Sequence, residues 1–248
     1  MSGCQRIDQL LVSTGRFDSR ARARAAIEAG LVQVAGRVVR KPSETFAQDA
    51  AIEAQAPYPW VSRAGVKLAT ALEAFAVDPV GALCLDVGSS TGGFTQVLLA
   101  RGAAKVYAVD VGRDQLHATL RADPRVISLE GQDARTLEAS MFAEPPTILV
   151  CDASFISLKL ILPAVLPLAA PDAILVALIK PQFEAGRENV GKGGIVRDEA
   201  IHTRVCDDIV WLVQGLGWRL QGVRQSPIEG GDGNKEFLMC AHKRGETL

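Results

Sequence analysis

One segment near the middle of the chain constrains the fold more than any other. Residues 83–94 read LCLDVGSSTGGF, an apolar run that passes into a turn of small residues and then into a helix-like stretch. Gly88, Gly92 and Gly93 lack side chains where a ligand would approach the backbone, and a helix that begins there presents unpaired amides. The segment predicts a strand–turn–helix unit that binds a nucleotide-type cofactor, although a plain glycine-rich turn has the same pattern.

The spacing of the glycines distinguishes between cofactors. A dinucleotide-binding turn reads G-x-G-x-x-G, whereas residues 88–93 read GSSTGG. Asp110 follows a second apolar run at residues 106–109. An acid at that place can accept hydrogen bonds from both ribose hydroxyls of an adenosine. The spacing therefore favours S-adenosylmethionine (SAM) over a nicotinamide cofactor.

Composition limits the class of protein. With 248 residues, 48% of them hydrophobic, the chain can bury one sizeable core and a small satellite domain. Its five cysteines are scattered and odd in number, which argues against a disulfide framework and favours a reducing compartment, the cytoplasm. The most apolar region, residues 148–179, is interrupted by two aspartates, a lysine and three prolines. We therefore expect no stable membrane insertion. The N-terminus carries Arg6 and Asp8 with no long apolar core behind them, so we expect no signal peptide.

Charge is unevenly distributed along the chain. Residues 1–67 contain ten Lys/Arg and six Asp/Glu, a balance of +4, and the remainder contains seventeen and twenty-two, a balance of −5. A basic head on an acidic body favours an anionic partner at the head. A solvated, charged helix face would give the same imbalance.

Residues 1–56 are predicted to form a small α+β domain. Residues 7–17 fit one amphipathic helix and its exit, with Gly15 as a stop signal. Residues 20–29 fit a second helix, capped by Asp18 or Ser19 and ended by Gly30. A tight hairpin is expected around residues 35–37. The second helix should expose Arg20, Arg24 and Arg22 to solvent.

The rest of the chain alternates short apolar runs with helical segments. After a linker and first helix at residues 57–81, a domain at residues 82–248 should contain strands at 83–87, 105–110, 126–129, 147–151, 173–179, 218–225 and 236–241. Five strand–helix alternations followed by a strand pair predict an α/β fold, a doubly wound parallel sheet with one late antiparallel strand. In such sheets a ligand lies at the carboxyl ends of the strands, where Gly88, Asp110, Asp133, Asp152 and Lys180 would fall.

Four ionisable residues are candidates for catalysis. Asp152 and Lys180 each follow an apolar strand directly, and Glu236 lies at a boundary between a turn and a strand. A charge at such a place is usually only a strand terminator. A lysine among apolar walls and near another cation is a candidate base for a hydroxyl, so Lys180 could take that role with Asp152 holding its amine. Lys67 would then stabilise alkoxide charge, and Glu236 would orient Lys67 or the ribose.

Two groups of motifs carry a resemblance to known proteins. The segments RIDQLL at 6–11, SRARA at 19–23 and AGLVQVAGR at 29–37 resemble the ribosomal-protein-S-four-type RNA-binding module. Together with VSRAGVKL at 61–68, CDASFISL at 151–158, IKPQFE at 179–184, GGIVRD at 193–198 and GNKEF at 233–237, they resemble the TlyA/hemolysin-A family, which joins that module to an FtsJ-like, Rossmann-like methyltransferase. The resemblance covers nearly the whole chain in order.

The resemblance implies SAM-dependent 2′-O-methylation of ribosomal RNA, with ribosomal RNA or a ribosomal subunit as the partner. Lys67, Asp152, Lys180 and Glu236 match the family's Lys/Asp/Lys/Glu tetrad. The cofactor set is Asp86, Gly88, Ser89, Ser90, Thr91, Gly92, Gly93, Phe94, Asp110, Asp133 and Asp152, and the RNA-binding set is Arg6, Arg20, Arg24, Arg37 and Arg63. Residues 130–135 read EGQDAR and depart from the family pattern, which is closer to ERTNxR. Asp133 can still accept a hydrogen bond from the exocyclic amine of an adenine.

Two other functions remain alternatives at this stage. One is a membrane-active cytolysin, prompted by the family's hemolysin name, and the other is a non-catalytic RNA-binding protein. Phe155 and Phe183 could stack a flipped nucleotide or pack in the core. The three histidines have no metal-ligand spacing, so no metal is expected. The modified nucleotide and the oligomeric state stay open.

Overall fold

The computed structural model describes residues 4–230 and 233–243. The chain divides into two compact units, Met1–Arg63 and Ala64–Leu248. Each unit has its own hydrophobic core. The helix that carries Lys67 lies in the second unit.

The N-terminal unit packs two helices against short strands. Antiparallel pairing joins β1 to β4, and β2 pairs with both β3 and β5. Its core contains the apolar faces of the helices, with Leu10, Leu11 and Ile27 almost fully buried. The elements are β1 (Cys4–Arg6), α1 (Ile7–Ser13), α2 (Arg20–Glu28), β2 (Val32–Val34), β3 (Arg37–Val38), β4 (Thr45–Ala47) and β5 (Ile52–Ala54).

Local signals in the sequence correctly predicted the main elements of this unit. The Ser19 side chain accepts a hydrogen bond from the Arg22 amide and caps α2. The β2–β3 hairpin turns through Ala35 and Gly36, both with positive φ (49° and 77°), as a two-residue hairpin loop requires. Strands β1, β4 and β5, of three residues each, were not predicted.

The C-terminal unit contains thirteen helices and strands among the described residues. Short 3₁₀ turns cover Ala134–Thr136, Ala139–Met141, Leu166–Leu168 and Arg187–Asn189. The helices and strands are α3 (Ala64–Ala74), β6 (Leu83–Val87), α4 (Gly93–Ala100), β7 (Lys105–Asp110), α5 (Ala118–Arg121), β8 (Val126–Glu130), β9 (Ile148–Cys151), α6 (Leu158–Val165), β10 (Ile174–Ile179), α7 (Pro181–Glu184), α8 (Glu199–Gly215), β11 (Trp218–Gln225) and β12 (Phe237–Lys243).

These strands form one seven-stranded sheet in the order β11-β12-β10-β9-β6-β7-β8. All pairings from β10 to β8 are parallel, whereas β12 runs antiparallel to both of its neighbours. The expected doubly wound, Rossmann-like sheet with one late antiparallel strand is confirmed. Strand bounds differ from the predicted ones by at most two residues.

The apolar runs are buried because helices cover the central strands. Strands β9 and β10 are almost entirely buried, which is typical of parallel strands packed on both faces. Strand order reverses between β6 and β9: β7 and β8 follow on one side of β6, whereas β9 and then β10 lie on its other side. That switch point is where open α/β sheets bind ligands. Within residues 4–230 and 233–243, no helix is both long and apolar enough to cross a bilayer.

Candidate active site

A cleft of about 440 Å³ opens at the carboxyl ends of the parallel strands, a size within the range of cofactor sites. Segments that follow β6, β7, β8 and β9 contribute to it, as expected at the switch point. Its lining is formed by Val87, Gly88, Ser90, Val109, Asp110, Val111, Gly112, Gln115, Gln132, Asp133, Ala134, Asp152, Ala153, Ser154, Phe155, Ile156 and Ile161.

The turn after β6 approaches the segment after β9 very closely. Gly88 has a φ of 80°, and a Cβ added there would lie 2.9 Å from the Ala153 backbone. Only glycine satisfies both the left-handed conformation and this approach. Ser90 also has a positive φ, 47°, and its amide donates to Asp110 Oδ2 at 2.8 Å. The turn is therefore held rigidly against the end of β7.

Asp110 ends β7 and faces the cleft. Besides the Ser90 amide, its carboxylate accepts the Gly112 amide at 2.7 Å, so both oxygens are oriented by backbone donors. Asp133 also lines the cleft, where both of its oxygens pair with Arg135, at 2.6 Å for Oδ2. The guanidinium of Arg135 lowers the pKa of Asp133. The lining thus combines apolar walls with three carboxylates, and it contains no lysine or arginine.

The structure separates the predicted cofactor residues into two groups. Gly88, Ser90, Asp110, Asp133 and Asp152 line the cleft. The remaining ones lie outside its lining: Asp86, Ser89, Thr91, Gly92, Gly93 and Phe94.

Gly92 belongs to the second group, and its backbone conformation and packing explain why this position is a glycine. Its φ is 93°, and a Cβ there would lie 2.3 Å from Leu120 Cδ1 and 2.8 Å from Leu116 Cδ1. This glycine therefore permits helix packing at the start of α4. A valine side chain at position 92 would collide with these leucines.

Asp86 is a fully buried carboxyl in the central strand. Its Oδ2 accepts a 2.6 Å hydrogen bond from the Thr95 hydroxyl, whereas Oδ1 has no hydrogen-bond partner in the described part of the chain. Burial, partly offset by the Thr95 hydrogen bond, raises the pKa of Asp86 to about 7. Asp86, in the strand that leads into the glycine-rich turn, therefore changes its protonation state near neutral pH.

Lys180 and Asp152 form a buried ion pair beside the cleft. Lys180 Nζ lies 2.6 Å from Asp152 Oδ1 and donates to Ser154 Oγ at 2.8 Å and to the Asp152 carbonyl at 3.1 Å. The side chains are 7% and 12% exposed. Asp152 is the partner that the sequence predicted. A second cation was expected beside Lys180. The observed partners of its ammonium are instead an anion and two neutral oxygens.

Lys67 and Glu236 form a second buried pair. The Lys67 ammonium donates to Glu236 Oε2, and the two side chains are 6% and 4% exposed. Lys67 lies in the first turn of α3 and Glu236 directly precedes β12. Of the two roles predicted for Glu236, orientation of Lys67 or of the ribose, the observed contact favours the first.

Strand register explains why three of these residues meet at one edge of the sheet. In the antiparallel pair, Ile179 lies opposite Phe237, so Lys180 and Glu236 occupy the next facing positions. In the parallel pair, Ala177 lies opposite Cys151, so Asp152 follows β9 at nearly the same level. Pro181 then stops β10, because it cannot continue the ladder.

Two further residues that support this edge were missed by sequence reasoning. Ser154 contacts Lys180 Nζ, as described above. Glu184, at the end of α7, accepts the Ser157 hydroxyl at 2.5 Å and the Leu158 amide at 2.7 Å, tying the segment after β10 to the start of α6. Burial raises the pKa of Glu184. Both residues lie within the quoted motifs, but only their tertiary contacts reveal what they do.

Phe155 is the most exposed large apolar residue of the cleft. Its side chain is 91% exposed, its φ is 65°, and its ring centroid lies 5.3 Å from that of Phe183. Core packing, one of the two alternatives for Phe155, is therefore wrong. A strained, exposed aromatic at a cleft is a feature expected of ligand sites.

The predicted RNA-binding arginines are held by acids of the N-terminal unit. Arg6, Arg20 and Arg24 all pair with Asp8, whereas Arg37 pairs with Glu44 at 2.8 Å. Arg63 is exposed.

Arg22 does not belong to the solvent-facing group in which it was placed. Its side chain is 16% exposed and donates to the Tyr58 carbonyl, with its guanidinium over the Tyr58 ring. It thus anchors the segment after β5, and the expectation of an exposed Arg22 is corrected.

Comparison with known proteins identifies the family. Residues 60–243 match the model of the FtsJ-like methyltransferases, and residues 5–49 match the S4 domain. The chain is 44% identical over 236 residues to the 16S/23S rRNA (cytidine-2′-O)-methyltransferase TlyA of Mycobacterium tuberculosis, covering 94% of this chain and 88% of that protein. This chain belongs to the TlyA/hemolysin A family of FtsJ-like methyltransferases.

Other members show how far the likeness extends. Hemolysin A of Brachyspira hyodysenteriae is 40% identical, with 94% of this chain and 98% of that protein covered. A solved candidate hemolysin from Streptococcus thermophilus superposes with a TM-score of 0.78 at 40% identity, over 98% of this chain and 90% of that one. Both likenesses therefore extend over the two units of this chain.

The cofactor of FtsJ-like enzymes is SAM, and the cleft fits its chemistry. An adenosine with a cationic sulfonium tail suits a mainly apolar lining with three carboxylates, whereas those carboxylates would disfavour a pyrophosphate. Asp110 would hold the ribose hydroxyls. Asp133, which also lines the cleft, is a candidate acceptor for the exocyclic amine of the adenine.

Proposed function

We propose that this chain transfers the methyl group of SAM to a ribose 2′-hydroxyl of ribosomal RNA. One observation carries the proposal: two buried lysine–carboxylate pairs, Lys180–Asp152 and Lys67–Glu236, converge on the edge of the sheet beside a cleft that suits a cationic nucleoside. The tuberculosis relative is a 16S/23S rRNA (cytidine-2′-O)-methyltransferase, which supports the same substrate for this chain.

The chemistry divides between cofactor and protein. Bound SAM supplies a methyl group activated by its positive sulfur, so the protein needs mainly to position and deprotonate the hydroxyl. In this proposal Lys180, in its neutral form, takes the hydroxyl proton at Nζ, and Asp152 and Ser154 orient that nitrogen. The Lys67 ammonium, fixed by Glu236, stabilises negative charge on the ribose oxygen.

Phe155 supplies a platform for the target base in this proposal. A nucleotide whose ribose reaches Lys180 must leave its helical stack, and an exposed aromatic ring can compensate for the lost stacking. The exposure of Phe155 and its proximity to Phe183 support this role.

The N-terminal unit supplies affinity for RNA rather than chemistry. Arg6, Arg20, Arg24, Arg37 and Arg63 would contact phosphates, which give binding without base recognition. The substrate would be free ribosomal RNA or an assembled subunit, and the protein would therefore act in the cytoplasm.

A methyl-transfer assay tests the proposal directly. The chain is incubated with SAM carrying a tritiated methyl group and, separately, with small subunits, large subunits and the RNA extracted from each. Alkaline hydrolysis then distinguishes the product, since a 2′-O-methyl group protects its phosphodiester and leaves a labelled dinucleotide. Label in mononucleotides would indicate base methylation, and absence of label in all four substrates would refute the proposal.

A further inference from the structure

A single buried carboxylate holds three arginines at the surface of the N-terminal unit. Asp8 lies in the first turn of α1 with no exposed surface. Its Oδ2 accepts from Arg20 Nη2 at 2.8 Å and from Arg24 Nε at 3.2 Å. Its Oδ1 accepts from Arg6 Nε at 3.0 Å. Burial opposes ionisation, but hydrogen bonds from the three arginines outweigh it and lower the pKa of Asp8.

The three arginines keep most of their binding capacity. Their side chains remain 39%, 49% and 49% exposed. A guanidinium has five N–H donors in a planar fork, and Asp8 engages two donors of Arg6 and one each of Arg20 and Arg24. Three positive charges and one negative charge leave the cluster with a net charge of +2.

We propose that Asp8 is a positioning residue for RNA binding, which fixes Arg6, Arg20 and Arg24 in the orientations that bind the phosphate backbone. The inference rests on the proposed function, in which RNA is the substrate. Arg20 and Arg24 are four residues apart on α2 and so share one face of that helix, and the Asp8 carboxylate joins them to Arg6, which ends β1.

Positioning and charge alone predict opposite effects of one substitution. Asp8→Asn adds a positive charge to the cluster, which by charge alone should tighten RNA binding. If orientation matters, each released arginine must instead become ordered when RNA binds. This ordering should weaken the affinity by roughly two- to tenfold per side chain. For three arginines the expected loss is at least about tenfold.

Binding of the full chain to ribosomal RNA, purified from each subunit, measures this effect by filter titration. Asp49→Asn is the matched control, since Asp49 is an exposed acid of the same unit and its loss changes the charge equally. We expect weaker binding for Asp8→Asn and parental or tighter binding for the control. Parental or tighter binding by Asp8→Asn would overturn the inference.

Single-turnover methylation gives a readout that a general folding defect would not mimic. Asp8→Asn should raise the RNA concentration for half-maximal rate but leave the rate at saturating RNA parental. A lower rate at saturation would contradict a role confined to the arginines.

A second variant covers the case in which Asp8→Asn does not fold, as judged by thermal melting. Arg20→Lys with Arg24→Lys preserves the net charge and alters only half-exposed side chains, but removes the planar forks. We expect it to bind RNA several-fold more weakly, and parental affinity would overturn the inference. Failure of the parental protein itself to bind or methylate RNA would instead refute the proposed function.

Discussion

Removal of the Lys180 ammonium should separate methyl transfer from binding. Lys180 is almost fully buried; its ammonium forms an ion pair with Asp152 Oδ1 and donates hydrogen bonds to the Asp152 carbonyl and to Ser154 Oγ. Lys180→Ala deletes the proposed base without adding bulk to the cleft. We therefore expect SAM and RNA binding to persist while the chemical step slows.

The size of the effect follows from two terms. Loss of a positioned acid–base group slows a reaction by about two to four orders of magnitude, or roughly 3–5 kcal/mol of barrier. Separately, Asp152, with a side chain only 12% exposed, loses its counter-ion, which destabilises the fold by up to several kcal/mol. Lys180→Met combined with Asp152→Asn removes both charges, so it should regain stability without regaining activity.

Single-turnover transfer of a tritiated methyl group at saturating SAM and RNA measures the chemical step, and urea denaturation measures stability. Lys159→Ala is the matched control, because Lys159 pairs with Asp208 at 2.9 Å on an exposed surface where such pairs contribute little. Lys180→Arg should not rescue the rate, since a guanidinium stays protonated. A folded Lys180→Ala or Lys180→Arg protein with a near-parental rate would refute Lys180 as the base.

Three further predictions concern the cofactor side. Asp110→Asn should weaken SAM binding by at least about tenfold in calorimetry, because a charged acceptor for the ribose is lost; parental affinity would place the ribose elsewhere. Gly92→Val should lower the melting temperature through the collision with Leu120, and an unchanged melting temperature would contradict that packing. The pKa of Asp86 is about 7 in the folded state against 3.8 in the unfolded chain. The protonated carboxyl therefore contributes its full stabilisation below pH 3.8, and that contribution is lost as the pH rises through 7. The unfolding free energy of Asp86→Asn, relative to the parent, should therefore rise by about 2 kcal/mol from pH 5 to 7.5 in urea denaturation, and a constant difference would contradict the shift.

Much of the fold was predictable because its signals are local. The strand–turn–helix at residues 83–94, the cap of α2 by Ser19 and the hairpin at Ala35-Gly36 depend on neighbours within a few residues. Apolar runs bounded by turns likewise defined the strands of the large sheet, and alternation with helices defined its winding. Position at strand ends then indicated Asp110, Asp152 and Lys180 as candidates for the cleft.

Sequence alone determined which residue types could do the chemistry, and tertiary structure decided what each of them contacts. Lys67 and Glu236 are 169 residues apart, and no periodicity predicts their pairing; it follows from the docking of α3 beside the start of β12. The same holds for Asp8, an ordinary helix residue in the sequence that becomes the common partner of three arginines, and for Phe155, which is exposed against the usual preference of its side chain. Apolar periodicity and turn chemistry act over a few residues, whereas ion pairs and exposure depend on packing between distant elements.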